Sequence, residues 1–213
     1  MPNTPILWSF RRCPYAMRAR LAIQYAGVRT ELREILLRDK PESFLTTSSK
    51  GTVPVLNTGV QVIDESRDVM TWALSQNDPD GWLNMPDAGH TLIDESDGPF
   101  KAALDHTKYA VRFPDRDATN DREQAAAFLR KLDAMLIGQP YLFGTSRTLA
   151  DTAIQPFVRQ FANTNRTWFN AQDWPHLRTW LETFETSDAF ASVMTKFPTW
   201  EPGAPGVAFP QVV

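Results

Sequence analysis

The fold of the first third of the chain is decided by residues 6–26, which read ILWSFRRCPYAMRARLAIQYA. The run Ile6–Phe10 is short and apolar, which predicts a buried β-strand. Pro14 suits the first position of a helix, where its missing N–H costs no hydrogen bond, and apolar residues recur at helical spacing until Gly27. A strand therefore leads directly into a helix, and Cys13 lies at the junction.

Further elements follow in regular order up to residue 76. Glu31–Leu37 predicts a second strand, and Pro41–Leu45 predicts a short helix or turn. Two short apolar runs flank residues 57–59, which read NTG and predict a hairpin. Ser66–Ser75 predicts a closing helix. The order β-α-β-α-β-β-α is typical of a small α/β sandwich.

The pattern changes after residue 76. Residues 77–89 are crowded with Asn, Asp, Pro and Gly, which predicts a linker. From residue 90 onward the apolar spacing predicts helices and almost no strand, and the proline-rich tail predicts an extended surface segment. We therefore predict an α/β domain over 1–76, a linker over 77–89 and an all-helical domain over 90–213 that includes the tail.

The composition excludes several classes of protein. The 213 residues are 42% hydrophobic and 22% charged, which is ordinary globular usage. No apolar run approaches the roughly 20 residues that span a bilayer, no secretory signal is recognisable, and one cysteine cannot form an internal disulfide, so we expect a cytoplasmic protein. The formal charge is −3, which does not suggest a nucleic-acid partner. It divides into +3 up to Asn77 and −6 after it, which predicts a first module able to attract a small anion.

Cys13 is the strongest candidate for a reactive residue. Unpaired N–H groups and the positive end of the dipole at a helix N-terminus favour a thiolate, and Arg11, Arg12 and Arg18 add positive charge. Such settings lower the pKa of a cysteine below its free value of about 8.5. The alternative is a buried structural cysteine. Because Ala16 stands where a second cysteine would resolve a disulfide, an external thiol such as glutathione would have to resolve it.

Two other segments could bind an extended peptide. A cis Val53–Pro54 bond would leave the Val53 backbone free to pair with such a peptide, whereas a trans bond would be an ordinary loop, and the sequence leaves both open. Ser66 is predicted as a helix N-cap, where N–H groups bind carboxylates, and Glu65 could accept from an ammonium. The alternative is a plain cap beside a solvated acid. The three histidines lie at no metal-ligand spacing, so we predict no metal site.

Three motifs together resemble the N-terminal domain of the cytosolic glutathione transferases. They are CPYA at 13–16, GTVPVL at 51–56 and DES at 64–66, and the cysteine is typical of omega-class and related bacterial members. LRDKPE at 37–42 resembles the omega-class segment before the second helix, and residues 148–159 resemble the capping box and buried helix of the family's C-terminal domain. The resemblance implies a thioredoxin-like α/β domain followed by an all-α helical bundle, assembled as a homodimer.

The resemblance also implies a role for each matching residue. Cys13 would be the catalytic thiolate and form a mixed disulfide with glutathione, while Glu65 and Ser66 would hold the γ-glutamyl ammonium and carboxylate. Among the other implied glutathione contacts, Lys40 and the Leu37 backbone would lie near the glycyl end, and Val53 with Pro54 would meet the cysteinyl part. Pro14 is a further implied contact. The acceptor, a small hydrophobic or disulfide-bearing molecule, would be bound by Tyr15, Tyr109, Arg112 and Phe113.

The resemblance leaves three functions open, of which we predict the first and keep the others as alternatives. The first is a glutathione-dependent thiol transferase or reductase that uses Cys13 as nucleophile. The second is a glutathione-conjugating transferase acting on electrophilic small molecules, in which the sulfur of glutathione itself attacks. The third is a non-catalytic regulatory protein, because the fold does not fix the function.

Overall fold

The computed structural model describes residues 4–211. These residues form two compact units. The first comprises the residues up to Pro79 together with those from Ser187 onward, and the second comprises Asp80–Thr186. The strands are β1 (Ile6–Ser9), β2 (Thr30–Glu34), β3 (Val55–Asn57), β4 (Val62–Ile63) and β5 (Val207–Phe209). The helices are α1 (Pro14–Tyr25), α2 (Glu42–Thr47), α3 (Ser66–Gln76), α4 (Asp87–Glu95), α5 (Lys101–Lys108), α6 (Ala118–Met135), α7 (Leu149–Ala162), α8 (Arg166–Asn170), α9 (Pro175–Glu185) and α10 (Asp188–Val193).

The sheet of the first unit has the order β4-β3-β1-β2-β5. β1 and β2 run parallel, with Leu7 opposite Leu32, and are connected through α1. All other neighbouring pairs are antiparallel, including the β3–β4 hairpin. The prediction of an α/β N-terminal domain followed by a helical domain is confirmed, and α1 and α3 pack against each other.

The carboxyl-terminal tail differs from its predicted place. We grouped residues 90–213 as one helical domain, but α10 packs on α1 and β5 pairs with β2 in the first unit. Trp200 of the tail lies in the core of that unit with Trp8. The physical reason is that β2 would otherwise present unpaired N–H and C=O groups at the edge of the sheet, and the extended tail satisfies them. The sequence pattern shows that the tail is extended, but not which edge it covers.

The second unit is helical throughout its regular elements. The predicted linker 77–89 is partly structured, because α4 begins at Asp87 and the Trp82 ring is buried. The capping box at the start of α7 is present: the buried Asp151 carboxylate accepts from the backbone N–H and the hydroxyl of Thr148, both at 2.9 Å. Asp151 also accepts from the Trp180 indole at 3.0 Å, which ties α9 to the start of α7. Within residues 4–211, no helix has both the length and the apolar character that crossing a membrane requires.

Candidate active site

Cys13 occupies the N-cap position of α1, directly after β1. Its backbone is extended, and its N–H donates to the Phe10 carbonyl at 3.0 Å, which closes the turn between strand and helix. The side chain is half-buried. The Cys13 Sγ lies 3.6 Å from the Val53 carbonyl oxygen, so the sulfur meets the loop that enters β3. The prediction that Cys13 stands at a strand–helix junction is confirmed.

The Val53–Pro54 peptide bond, which the sequence leaves open between cis and trans, is cis. Both residues are buried, and β3 begins at the next residue, Val55. Val53 belongs to a cluster of buried residues with Trp8, and Cys13 packs against this cluster. The two motifs that are 40 positions apart in the sequence therefore meet at the sulfur.

Ser66 is not the N-cap of α3, contrary to our prediction. Glu65 occupies that position, and Ser66 is the first helical residue. Ser66 is buried, and its hydroxyl oxygen accepts a hydrogen bond from Nε of the buried Arg18 at 3.0 Å. The helix begins one residue earlier than a Ser66 cap would require, and Arg18 holds the serine side chain from inside the unit. Ser66 thus sits one residue further into the helix than sequence reasoning placed it.

Glu65 has a partner that the sequence analysis missed. Lys50 Nζ lies 2.6 Å from a Glu65 carboxylate oxygen and 3.0 Å from an Asp64 carboxylate oxygen. These hydrogen bonds raise the pKa of Lys50, and the one from Lys50 lowers the pKa of Asp64. The sequence signal that could have indicated this contact is the position of Lys50 beside Gly51, in the loop that leads to Val53.

Lys40 and Leu37 lie in the segment before α2. Leu37 is exposed and sits in the turn that the Leu36–Asp39 bridge closes. Lys40 Nζ lies beside Gly51, 3.6 Å from where a Cβ would stand on that glycine. Gly51 has a φ of +59°, a left-handed conformation that favours glycine. The structure therefore brings Lys40 to the loop that carries Val53.

A buried ion pair under the Cys13 loop was also missed. Arg20 Nη2 donates to the Arg11 carbonyl at 2.7 Å, and the Glu34 carboxylate accepts from the Arg11 N–H at 2.6 Å. Burial lowers the pKa of Arg20 to about 10, while the negative charges of Glu34 and Cys13 act in the opposite direction. Burial raises the pKa of Glu34, against the Arg11 hydrogen bond and the Arg20 charge. Sequence reasoning missed this pair because nothing in the pattern of α1 indicates that the side chain of Arg20 is buried.

The residues predicted to bind the acceptor lie in different units. Tyr15 is in α1, and the Arg18 guanidinium lies 5.1 Å from the centre of its ring. Tyr109 follows α5 in the second unit, with the Arg112 guanidinium 4.6 Å from its ring centre. Phe113, one residue further along, packs edge-on against His106. The structure brings Tyr109 and Arg112 into contact, and the common acceptor site remains a prediction.

No group of three or more His, Cys, Asp or Glu residues in the described part of the chain is arranged to hold a metal ion. The residues predicted for the site offer a sulfur at Cys13, backbone groups at Val53, a cation at Lys40, a carboxylate at Glu65 and a hydroxyl at Ser66. This set suits a zwitterionic peptide that carries a thiol. Its amines would meet carboxylates, and its carboxylates would meet hydroxyl and cationic groups.

Models of one protein family match most of the chain. Residues 7–81 match the glutathione S-transferase N-terminal domain, and residues 86–183 match the glutathione S-transferase C-terminal domain. The chain is 41% identical to glutathione S-transferase omega-2 of Mus musculus over 61 residues, which are 28% of this chain and 25% of that protein. It is 28% identical to glutathione S-transferase omega-1 of Sus scrofa over 162 residues, which are 72% of this chain and 66% of that protein. The matches to these relatives thus span a quarter and just under two thirds of their lengths.

Solved structures show the same fold. The theta-class glutathione S-transferase of Xanthomonas axonopodis pv. citri, whose crystal structure has glutathione bound, is 23% identical with a TM-score of 0.72. The superposition covers 92% of this chain and 99% of that one. Because models of the N-terminal and C-terminal domains of one family match residues 7–81 and 86–183 in that order, the chain belongs to the glutathione transferase family.

Proposed function

We propose that the protein is a glutathione-dependent thiol transferase or reductase that acts through a mixed disulfide between Cys13 and glutathione. The observation that carries this proposal is the place of Cys13: it caps the N-terminus of α1, with its sulfur 3.6 Å from the Val53 carbonyl. A helix N-terminus favours the anionic form of a thiol, and the thiolate is the nucleophile in disulfide exchange.

The reaction proceeds in two exchanges. In the first, the Cys13 thiolate attacks the glutathione sulfur of a mixed disulfide R–S–SG. The S–S bond breaks, the acceptor part leaves as the thiolate R–S⁻, which takes up a proton, and a Cys13–SG disulfide forms. In the second, the thiolate of another glutathione attacks the glutathione sulfur on Cys13, which releases oxidised glutathione and restores the Cys13 thiolate. Reduced glutathione supplies the electrons, because the chain has one cysteine and cannot close an internal disulfide.

The surroundings of Cys13 support glutathione as the thiol. Val53 lies beside the sulfur, where its backbone can pair with the cysteinyl part of the tripeptide. Pro54 and Pro14, the residues that follow Val53 and Cys13, are proposed as further contacts. Because Ser66 Oγ accepts from Arg18, the serine keeps its own hydroxyl hydrogen to donate to the γ-glutamyl carboxylate. Lys40 and, through its backbone, Leu37 would meet the glycyl carboxylate. The relative from Xanthomonas axonopodis pv. citri holds glutathione.

Glu65 is proposed to bind the γ-glutamyl ammonium, so Glu65→Gln is expected to weaken glutathione binding by about fivefold to tenfold. The variant keeps the shape of the side chain but removes its negative charge. At a site this exposed, that charge contributes about 1 kcal/mol to a hydrogen bond with an ammonium group. Isothermal titration calorimetry with reduced glutathione measures the change in Kd. Glu42→Gln, at the exposed start of α2, removes the same charge and should leave Kd unchanged. Equal affinity of Glu65→Gln and the unaltered protein would contradict the role of Glu65.

The mixed disulfide is tested directly by the mass of the intact protein. After incubation with oxidised glutathione we expect a gain of one glutathione, which excess reduced glutathione removes. The adduct can only be on Cys13, because the chain has no other cysteine. A protein that reacts with iodoacetamide but never gains glutathione would contradict the proposal.

The acceptor, the oligomeric state, the location and the other partners of the protein remain predictions. Tyr15, Tyr109, Arg112 and Phe113 are proposed to contact a small hydrophobic or disulfide-bearing acceptor. A homodimer, a cytoplasmic location and the absence of a metal, nucleic-acid or membrane partner are likewise carried over from the sequence and the resemblance.

A further inference from the structure

Arg20 reaches back under the loop that carries Cys13. It lies seven residues after Cys13, which places both on one face of α1 about two turns apart. Helical side chains lean towards the N-terminus, so the guanidinium points at the loop rather than away from it. Its Nη1 donates to Ser9 Oγ at 2.8 Å, and its Nη2 donates to the Arg11 carbonyl at 2.7 Å. The residue is 1% exposed, so its charge is held inside the unit.

The charge of Arg20 is only partly compensated. Glu34 is buried on β2, but one of its carboxylate oxygens is held by the Arg11 N–H. Its other oxygen lies 3.8 Å from Arg20 Nη1, and among residues 4–211 that oxygen has no hydrogen-bond partner. Arg20 Nε likewise has none there. Both ends of the pair contact the Cys13 loop, because Arg20 donates to the Arg11 carbonyl and Glu34 accepts from the Arg11 N–H. In a low-dielectric interior, the electrostatic potential at Cys13 is therefore set by the difference between these two buried charges.

We propose that Arg20 is a positioning residue for Cys13: it fixes the loop over residues 10–13, and its buried charge stabilises the Cys13 thiolate to an extent that Glu34 limits. The inference rests on the proposed function in one respect, since it takes the thiolate to be the reactive form. Three further cations, Arg11 and Arg12 in the loop and Arg18 on α1, also lie near Cys13 in the chain. Arg12 differs from Arg20 because it is exposed and therefore screened by salt.

The test is the pH dependence of iodoacetamide alkylation in the full-length protein, without glutathione. Only one thiol is present, so the midpoint of the rate profile reports Cys13 alone. Arg20→Met should raise the midpoint by about one pH unit, which is a tenfold loss of rate at lower pH. Glu34→Gln keeps the acceptor for the Arg11 N–H but removes the opposing charge, so it should lower the midpoint.

Two matched variants control for charge alone. Glu31→Gln removes a charge from the opposite face of β2, where Glu31 pairs with Arg33, and should leave the midpoint unchanged. Arg12→Met removes an exposed cation, and its effect should vanish in 1 M salt, where the Debye length is about 3 Å. The effect of Arg20→Met should persist in 1 M salt because the charge is buried.

An unchanged midpoint in Arg20→Met or in Glu34→Gln would overturn the inference, and so would a rise in Glu34→Gln. If Arg20→Met does not fold, the midpoints of Glu34→Gln and Arg20→Lys decide whether the inference holds. Arg20→Lys keeps the cation, so its midpoint should stay close to that of the unaltered protein. The outcome is separate from the proposed function. Shifted midpoints in a protein that never gains glutathione would keep this inference and refute the function, whereas an adduct with unmoved midpoints would do the reverse.

Discussion

Replacing Cys13 by serine is expected to lower the rate of glutathione-dependent disulfide reduction by more than about a thousandfold. A hydroxyl is a far weaker nucleophile than a thiolate at neutral pH and cannot form the mixed disulfide. The α1 N-cap position would be kept, because serine is a good N-cap residue, so the fold should not change. The measurement is reduction of a glutathione mixed disulfide of a small thiol, followed by the formation of oxidised glutathione.

The same variant separates thiol transfer from conjugation. Glutathione should still bind Cys13→Ser within about threefold of the original affinity, because the proposed contacts with Val53, Glu65 and Ser66 do not depend on the sulfur. Conjugation of glutathione to an aryl halide, measured alongside, uses the sulfur of glutathione and does not require Cys13. Retained disulfide reduction would refute the mechanism proposed for Cys13. Lost reduction in a variant that still binds glutathione would support it and would argue against a non-catalytic role.

Replacing Trp200 by alanine is expected to lower the free energy of unfolding by about 3–5 kcal/mol. The side chain is 9% exposed and packs edge-on against Trp8, with ring centres 5.1 Å apart. The Arg33 guanidinium lies 4.6 Å from the Trp200 ring centre and 5.0 Å from that of Trp8. The indole N–H of Trp200 donates to the Ala204 carbonyl at 2.8 Å, and this hydrogen bond would be lost. The backbone N–H of Trp200 donates to the Glu34 carbonyl at 2.7 Å, which fixes the tail to β2 before β5 begins and is kept in the variant. Urea unfolding followed by circular dichroism measures the loss.

The comparison for this prediction is Trp72→Ala in α3 of the same unit. Trp72 is only half-buried, so the same change of residue should cost distinctly less. Because Val53 and Cys13 pack on the cluster that contains Trp200, we also expect Trp200→Ala to bind glutathione less tightly. A loss of stability below about 1 kcal/mol would show that the tail is not part of the core of this unit.

The candidate site could be predicted wherever its residues lie next to one another in the chain. Cys13 and Pro14 read as a strand–helix junction because a short apolar run, a helix-starting proline and helical spacing are all local signals. Local signals did not place Ser66, which the structure shifts from the cap into the first turn of α3. The partners Lys50 and Arg20 were missed because each meets its carboxylate only through the packing of distant segments.

The amino-acid pattern alone was enough for the α/β start, the helical second unit and the cysteine at the beginning of the first helix, because periodicity, turn residues and capping act over a few positions. Tertiary packing alone decided that the tail completes the sheet beside β2, that the Cys13 sulfur meets Val53 and that an arginine of α1 is buried under the loop. Each of these depends on which distant backbone groups and charges must be satisfied once water is excluded. That requirement exists only in the folded chain.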